Sequence, residues 1–191
     1  MEQLIQWDID LFFWINQANG PVWDAIMAFV SNKWVWIPVY VLLAILLQKL
    51  LGWKKWAFCL LMVGLVITLT DRTTSGVLKP GVARYRPCRV EARLEKPVHL
   101  VNNKCGGKYG FASSHAANFW GLATFLSLVF RNRWFILTSC FCATWVAYSR
   151  IYLGVHYPGD VVAGAAIGII AGGCVYILYR SISNRYFPNP Q

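Results

Sequence analysis

The chain has 191 residues, of which 57% are hydrophobic, 16% aromatic and only 14% charged. An average soluble domain has roughly 45–50% apolar and about 25% charged residues. Disorder is excluded, since too much apolar surface would stay in water, and apolar runs fill too much of the chain for an ordinary soluble core. The net charge of +10 would suggest a nucleic-acid partner in a soluble protein. Here the basic residues cluster at the ends of apolar runs and in one loop, which fits a membrane surface or an anionic lipid and no nucleic acid. The chain is therefore expected to be one all-α, membrane-embedded domain over residues 1–191, an integral helical bundle.

Residues 2–17 place Gln3, Gln6, Asp10 and Gln17 on one stripe and Leu4, Leu11, Phe12 and Ile15 elsewhere. This is the pattern of an amphipathic helix lying in the membrane interface, over about 1–20. A buried cap over the bundle is the other reading. The first residues lack the basic start and small-residue cleavage pattern of a secretory signal peptide, and Asn19-Gly20-Pro21 breaks the chain.

Five apolar runs follow, at 34–51, 56–78, 114–130, 134–152 and 161–179. Each is near the roughly 20 residues a helix needs to cross the hydrocarbon core. Trp34, Trp36, Trp53, Trp56 and Trp134 stand near run ends, as interfacial aromatics do. Gly164, Gly168 and Gly172 recur every four residues in the last run, a spacing that lets another helix approach closely.

Five spans put the termini on opposite sides. Lys49, Lys54, Lys55, Arg131, Arg133, Arg180 and Arg185 fall on one side, which the positive-inside rule makes cytoplasmic. The loop 80–112 on the other side holds Arg84, Arg86, Arg89, Arg93, Lys96, Lys104 and Lys108 against Glu91 and Glu95, so charge alone leaves the orientation open. Cys59, Cys140, Cys142 and Cys174 lie in apolar runs and read as packing residues. Cys88 and Cys105, in the polar loop, can pair if that loop faces an oxidising compartment. Two free thiols in a cytoplasmic loop is the competing reading.

Three polar clusters gather at the span ends facing this loop, where polar groups are costly unless they serve something. Lys79 and Arg86 flank a helix exit at Pro80-Gly81, with Asp71 and Ser75 on the helical face of Lys79. In isolation these cations read as snorkelling side chains contacting headgroups. Ala112-Ser113-Ser114-His115 precedes an apolar run. Ser there is first an N-cap, and the same amides form an anion site at the positive end of a helix. Ser149-Arg150 closes one run, Asp160 opens the next, and His156 lies between. A carboxylate four residues after a His can take its Nδ1–H and leave Nε2 as a nucleophile; a plain cap with an interfacial His is the bland alternative. Taken together, three cations, a helix N-terminus and two of the three His suit a tetrahedral dianion. A divalent metal is a poor fit among Lys and Arg.

The pattern K-x6-R-P, Ser-x-His, and S-R-x5-H-x3-D resembles the type 2 phosphatidic acid phosphatase superfamily, membrane lipid phosphatases related to vanadium haloperoxidases. Lys79, Arg86 and Pro87 match the first motif, and Ser149, Arg150, His156 and Asp160 the third. In the second, Ala112 and Ser114 stand where Pro and Gly are usual, while Ser113 and His115 remain. The resemblance implies a lipid phosphate hydrolase without metal or other cofactor. His156 would form a phosphohistidine, Asp160 would hold its tautomer, and His115 would act as acid and then base. Lys79, Arg86, Arg150, Ser113 and the Ser114 amide would hold the phosphoryl oxygens, with Asp71 in support. The resemblance also implies a multi-pass protein of the bacterial inner membrane, its site facing outward, with no obligate protein partner. Lipid A and undecaprenyl diphosphate lead as substrates, ahead of phosphatidylglycerol phosphate. A soluble vanadate-dependent oxidase shares the motifs but not the five apolar runs. A non-catalytic lipid-binding or transport protein with the same cationic pocket is the alternative from another class; it would need the cations and dispense with His156 and Asp160.

Overall fold

The computed structural model describes residues 2–90, 94 and 96–186. Glu91, Arg93 and Glu95, counted in the loop charge, lie outside the described residues. Among those described the chain is helical with no strand, apart from one isolated bridge between Tyr85 and Tyr109. The α-helices are α1 (Glu2–Asn16), α2 (Pro21–Ser31), α3 (Ile37–Asp71), α4 (Lys79–Val82), α5 (Ser114–Phe130), α6 (Arg133–Tyr152) and α7 (Pro158–Tyr186), with a π-helical stretch Arg72–Leu78 joining α3 to α4.

The N-terminal helix forms, and one of its faces packs on the bundle as the cap reading expects. One face of α1 buries Phe12, Phe13, Ile15 and Asn16 against α6 and α7, with Phe12 edge-on to Tyr157. The other face exposes Leu4, Trp7, Leu11 and Trp14, an apolar surface suited to lipid. Helix α2 was not anticipated. Its 11 residues start at Pro21, where the missing N–H costs nothing, and it packs on α6.

The run 37–71 is nominally one helix, but Gly52 within it has φ 70° and ψ 166°, a conformation open to glycine. The Trp56 indole N–H donates to the Ala44 carbonyl at 2.8 Å. A straight helix would hold residues twelve apart about 18 Å from each other, so the chain doubles back at Gly52. The two expected runs 34–51 and 56–78 are the arms of this hairpin.

Length and apolarity alone do not confirm the five-span count. By length and apolarity, two helical stretches among the described residues qualify as membrane spans, Lys33–Val82 and Pro158–Tyr186. Helix α5 has only 17 residues, short of the bilayer core. Helix α6 dilutes its apolar face with Thr138, Ser139, Thr144 and Ser149. Only 6% and 28% of the most apolar windows of the two qualifying stretches are buried within the protein. The core helix of a soluble protein would bury most of such a window; here Leu42, Leu61, Ile170 and Ile177 face outward.

The glycine spacing of α7 does close two helices together. A Cβ built on Gly164, Gly168 or Gly172 would collide with the carbonyls of Ser113, Ala117 and Gly121 in turn. Without side chains between them, α5 and α7 pack backbone to backbone, as small-residue seams in membranes do. Gly121 in turn sits under Val66 and Thr70 of α3. The seam holds the N-terminus of α5, with Ser113 and His115, against the N-terminus of α7, with Asp160.

Candidate active site

The His156–Asp160 relation follows from one helical turn. Asp160 enters α7 in its first turn, is fully buried, and accepts the Tyr157 backbone N–H at 3.1 Å. The same oxygen lies 3.4 Å from Nδ1 of His156, which is 2% exposed. A carboxylate there holds the proton on Nδ1 and keeps Nε2 unprotonated. Nε2 is not bare, however. Arg86 Nη1 stands 3.1 Å away and also reaches the Val155 carbonyl at 3.2 Å, while its Nε bonds the Tyr109 carbonyl at 3.2 Å. The buried Arg86 is thus fixed as a plane against the edge of the imidazole. Burial depresses the His156 pKa well below the ordinary value, and the positive charges of Arg86, Arg150 and Lys79 depress it further. His156 therefore rests as a neutral imidazole.

Lys79 approaches from the hairpin arm. Its Nζ donates to Ser75 Oγ at 3.0 Å and also bonds Ser114 Oγ. Ser75 Oγ donates to Asp71 Oδ1 at 3.3 Å, so the hydrogen-bonded route from the exposed Asp71 to Lys79 runs through Ser75. Ser114 makes contacts beyond the amide role expected of it. Its hydroxyl bonds Thr74 at 2.9 Å and Ser75 at 2.8 Å, which makes the side chain an anchor for Lys79 in the arrangement seen. Ser113 is the buried N-cap of α5; its Oγ accepts the Ala116 N–H at 3.4 Å, and its own N–H donates to the Asp160 carbonyl at 2.9 Å. His115, half-buried one residue into α5, lies within electrostatic reach of Arg150, His156, Lys79 and Arg86. Arg150, at the end of α6, donates through Nη1 to Ser31, while its buried Nε has no hydrogen-bond partner. Its carbonyl accepts the N–H groups of Val155 and His156, both at 3.2 Å, and so shapes the loop that presents the histidine.

Cys88 and Cys105 are disulfide-bonded, with Cα atoms 5.8 Å apart. The crosslink ties the segment after Arg86 to the strip 105–110 that lies over the site.

Four residues of this site were not singled out from the sequence. Arg84, counted only as loop charge, donates to Asp160 Oδ1 at 2.9 Å and to Asp8 Oδ2 at 2.5 Å, with its guanidinium 4.2 Å from the Tyr157 ring centre. Asp8, from α1, also accepts the Gly159 N–H at 2.7 Å. Burial works against the charge on Arg84, yet the carboxylates of Asp160 and Asp8 outweigh it and raise the pKa above its usual value. Gly110 passes so close to the pair that a Cβ would sit 2.8 Å from Asp160 Oδ2 and 3.6 Å from His156 Nδ1. Ser31 holds Arg150. Asp8 and Ser31 carry no local signal, because they reach the site from elements more than a hundred residues distant in the chain. Arg84 had one: it lies two residues before Arg86 in an extended segment, where alternate side chains share a face.

Comparisons with known proteins place the chain in a family. The family model described as "PAP2 superfamily" matches residues 33–184. The chain is similar to a lipid A 4'-phosphatase of Bacteroides thetaiotaomicron (strain ATCC 29148 / DSM 2079 / JCM 5827 / CCUG 10774 / NCTC 10582 / VPI-5482 / E50), 38% identical over 97% of this chain and 82% of the relative. An undecaprenyl-diphosphatase of Sulfolobus acidocaldarius (strain ATCC 33909 / DSM 639 / JCM 8929 / NBRC 15157 / NCIMB 11770) is 31% identical over 87% of this chain and 76% of the relative. The crystal structure of a transmembrane PAP2-type phosphatidylglycerolphosphate phosphatase from Bacillus subtilis superposes with a TM-score of 0.67. It covers 100% of this chain and 90% of the other at 20% identity, a likeness of fold. From the paired His156 and Asp160 to the match across 33–184, the chain belongs to the PAP2 superfamily of lipid phosphatases.

Proposed function

We propose that this protein removes a phosphate from a membrane lipid, a phosphorylated glycolipid of the lipid A kind first, through a phosphohistidine at His156. The observation that carries the reading is the neutral, buried His156 held between Asp160 and three cations. Similarity to the Bacteroides lipid A 4'-phosphatase at 38% identity favours lipid A. Undecaprenyl diphosphate comes next and phosphatidylglycerol phosphate third.

The phosphate dianion enters among Lys79, Arg86, Arg150 and the amides at the start of α5, taking over the contact Arg86 now makes with Nε2. Nε2 then attacks phosphorus, and the bond to the lipid oxygen breaks as His115, which carries a proton once the phosphate charge offsets the cations around it, donates that proton to the oxygen. Asp160 stabilises the imidazolium. In the second step His115 takes a proton from water, the oxygen attacks phosphorus, the N–P bond breaks and inorganic phosphate leaves. Charge developing on the equatorial oxygens meets fixed guanidinium and ammonium groups, so no step calls for a metal.

The site belongs at the outer face of a bacterial inner membrane. The disulfide beside it suits an oxidising compartment, and both hairpin arms, α5, α6 and α7 serve as the five spans. Phosphate release from purified protein in detergent with chelator, on a panel of lipid A, undecaprenyl diphosphate and phosphatidylglycerol phosphate, tests the reading. Chelator-resistant release, fastest from lipid A and abolished in His156→Ala, is expected. Binding without release, or an equally active variant, overturns it in favour of a lipid-binding or transport protein.

A further inference from the structure

A cavity of about 610 Å³ opens beside the catalytic cluster, between the end of α2 and the loop 101–106. Its lining includes Ser31, Asn32, Trp34, Asn102, Lys104 and Arg150. This volume sits mid-range for small-molecule sites, about 300–1,000 Å³, and far exceeds what one phosphate fills. One wall joins it to the reacting atoms. Gly106 lines the cavity, and a Cβ there would touch the Arg86 guanidinium at 3.7 Å, the group that faces His156 Nε2. Val155, whose carbonyl Arg86 grips, lines it as well.

The lining sets polar groups beside the apolar Ala28, Phe29, Val101 and Leu153, the mixture of surfaces that a sugar presents. Asn32 uses its Oδ1 to accept the Trp34 N–H at 3.1 Å, which leaves its amide donors for a ligand. Trp34 is 65% exposed and offers a flat apolar face beside these polar groups. Asn102 and Asn103 both adopt positive φ, 56° and 54°, the tight turn that brings Asn102 to the cavity. Lys104 supplies a cation separate from Lys79, Arg86 and Arg150. The buried Arg150 Nε without a partner supplies an unused donor on the catalytic side. Disulfide-bonded Cys105 and the Arg89 hydrogen bond to the Gly106 carbonyl at 2.6 Å brace the wall.

We propose that this cavity is a headgroup subsite for a phosphorylated sugar, with Trp34 stacking on a sugar ring, Asn32 and Asn102 bonding its polar groups, and Lys104 pairing with a second phosphate. It rests on the lipid phosphatase reading above and makes the enzyme selective for glycolipids over glycerol lipids. None of these four residues belongs to the catalytic cluster.

The test compares two substrates, lipid A and 4-nitrophenyl phosphate, which carries neither sugar nor second phosphate. Wild type is set against Trp34→Ala, Asn102→Ala and Lys104→Ala, with thermal unfolding recorded for each. Each variant is expected to lose about tenfold in kcat/KM on lipid A, or about 1.4 kcal/mol, and to stay within twofold on the aryl phosphate with an unchanged melting point. Parallel losses on both substrates, or no loss on lipid A, overturn the subsite while leaving the phosphatase reading intact. A wild type that hydrolyses neither substrate overturns the phosphatase reading itself, and the subsite with it.

Discussion

Replacing Arg84 with Gln removes the link between the N-terminal helix and the catalytic carboxylate. Asp160 is fully buried, and Arg84 is 26% exposed. Stripping one partner from a buried ion pair costs about 3–5 kcal/mol. Here Asp160 keeps the Tyr157 N–H and His156, and the partial exposure of Arg84 screens part of the charge. The expected loss is therefore about 2–3 kcal/mol, or roughly 5–10 °C in melting temperature for a chain of this size. Asp8→Asn keeps one oxygen for the Gly159 N–H but puts its amide NH2 where Oδ2 accepted from Arg84, so about 1–2 kcal/mol is expected there. The double variant should lose little more than Arg84→Gln alone, because Asp8 acts through Arg84 and the two losses are not additive. Activity should fall more than tenfold in kcat/KM for Arg84→Gln, since Asp160 loses the contact on Oδ1 that helps to orient it toward Nδ1. Thermal unfolding in detergent and phosphate release measure both quantities. An Arg84→Gln protein that melts within 1 °C or so of wild type with unchanged turnover would refute the reasoning.

Three further expectations follow from separate features. Gly168→Ala would place a methyl 2.8 Å from the Gly121 nitrogen, and overpacking of this kind costs about 1–3 kcal/mol; Gly64→Ala, with nothing within 4 Å, should be neutral or stabilising in the same melts. His156 is neutral and its pKa is depressed in the folded state, against about 6.5 when unfolded. Its contribution to stability is thus complete above about pH 6.5 and lost as the pH falls below that value; the melting temperature of His156→Gln should depend less on pH between 5 and 8, and identical slopes would contradict this. Opening the Cys88–Cys105 bridge by a double Ser substitution releases a loop with a sequence separation of 17 and should cost about 3 kcal/mol, with non-reducing mass spectrometry of wild type checking that the bridge exists.

Helical class and most of the site were readable because their signals are local. Lys79 and Arg86, Ser113 and His115, and Arg150, His156 and Asp160 each occupy one short stretch, and the α7 glycines mark their own seam. What stayed hidden depends on distance or on backbone geometry. Asp8 and Ser31 reach the site across more than a hundred residues, so no spacing rule reveals them. Gly110 looks like any loop glycine until the fold lays it over the His156–Asp160 pair. The hairpin at Gly52 was read correctly as two runs, although their helical hydrogen bonding continues almost without a gap. The five-span count failed the criterion of length and apolarity because α5 is short and α6 is studded with hydroxyls; hydropathy along a chain does not show which faces meet lipid. Ser114 was read for its backbone amide, and its hydroxyl turned out to grip Lys79.

The central claim is that phosphate passes through His156. His115→Asn with an aryl phosphate isolates that step, because a good leaving group needs no protonation while the attacking water still needs a base. Rapid quenching into alkali, followed by peptide mass spectrometry, would detect the adduct. A burst of about one phenolate per protein is expected, together with an acid-labile, base-stable phosphoryl group on the peptide carrying His156. Steady turnover with no adduct, or an adduct on any other residue, would contradict it.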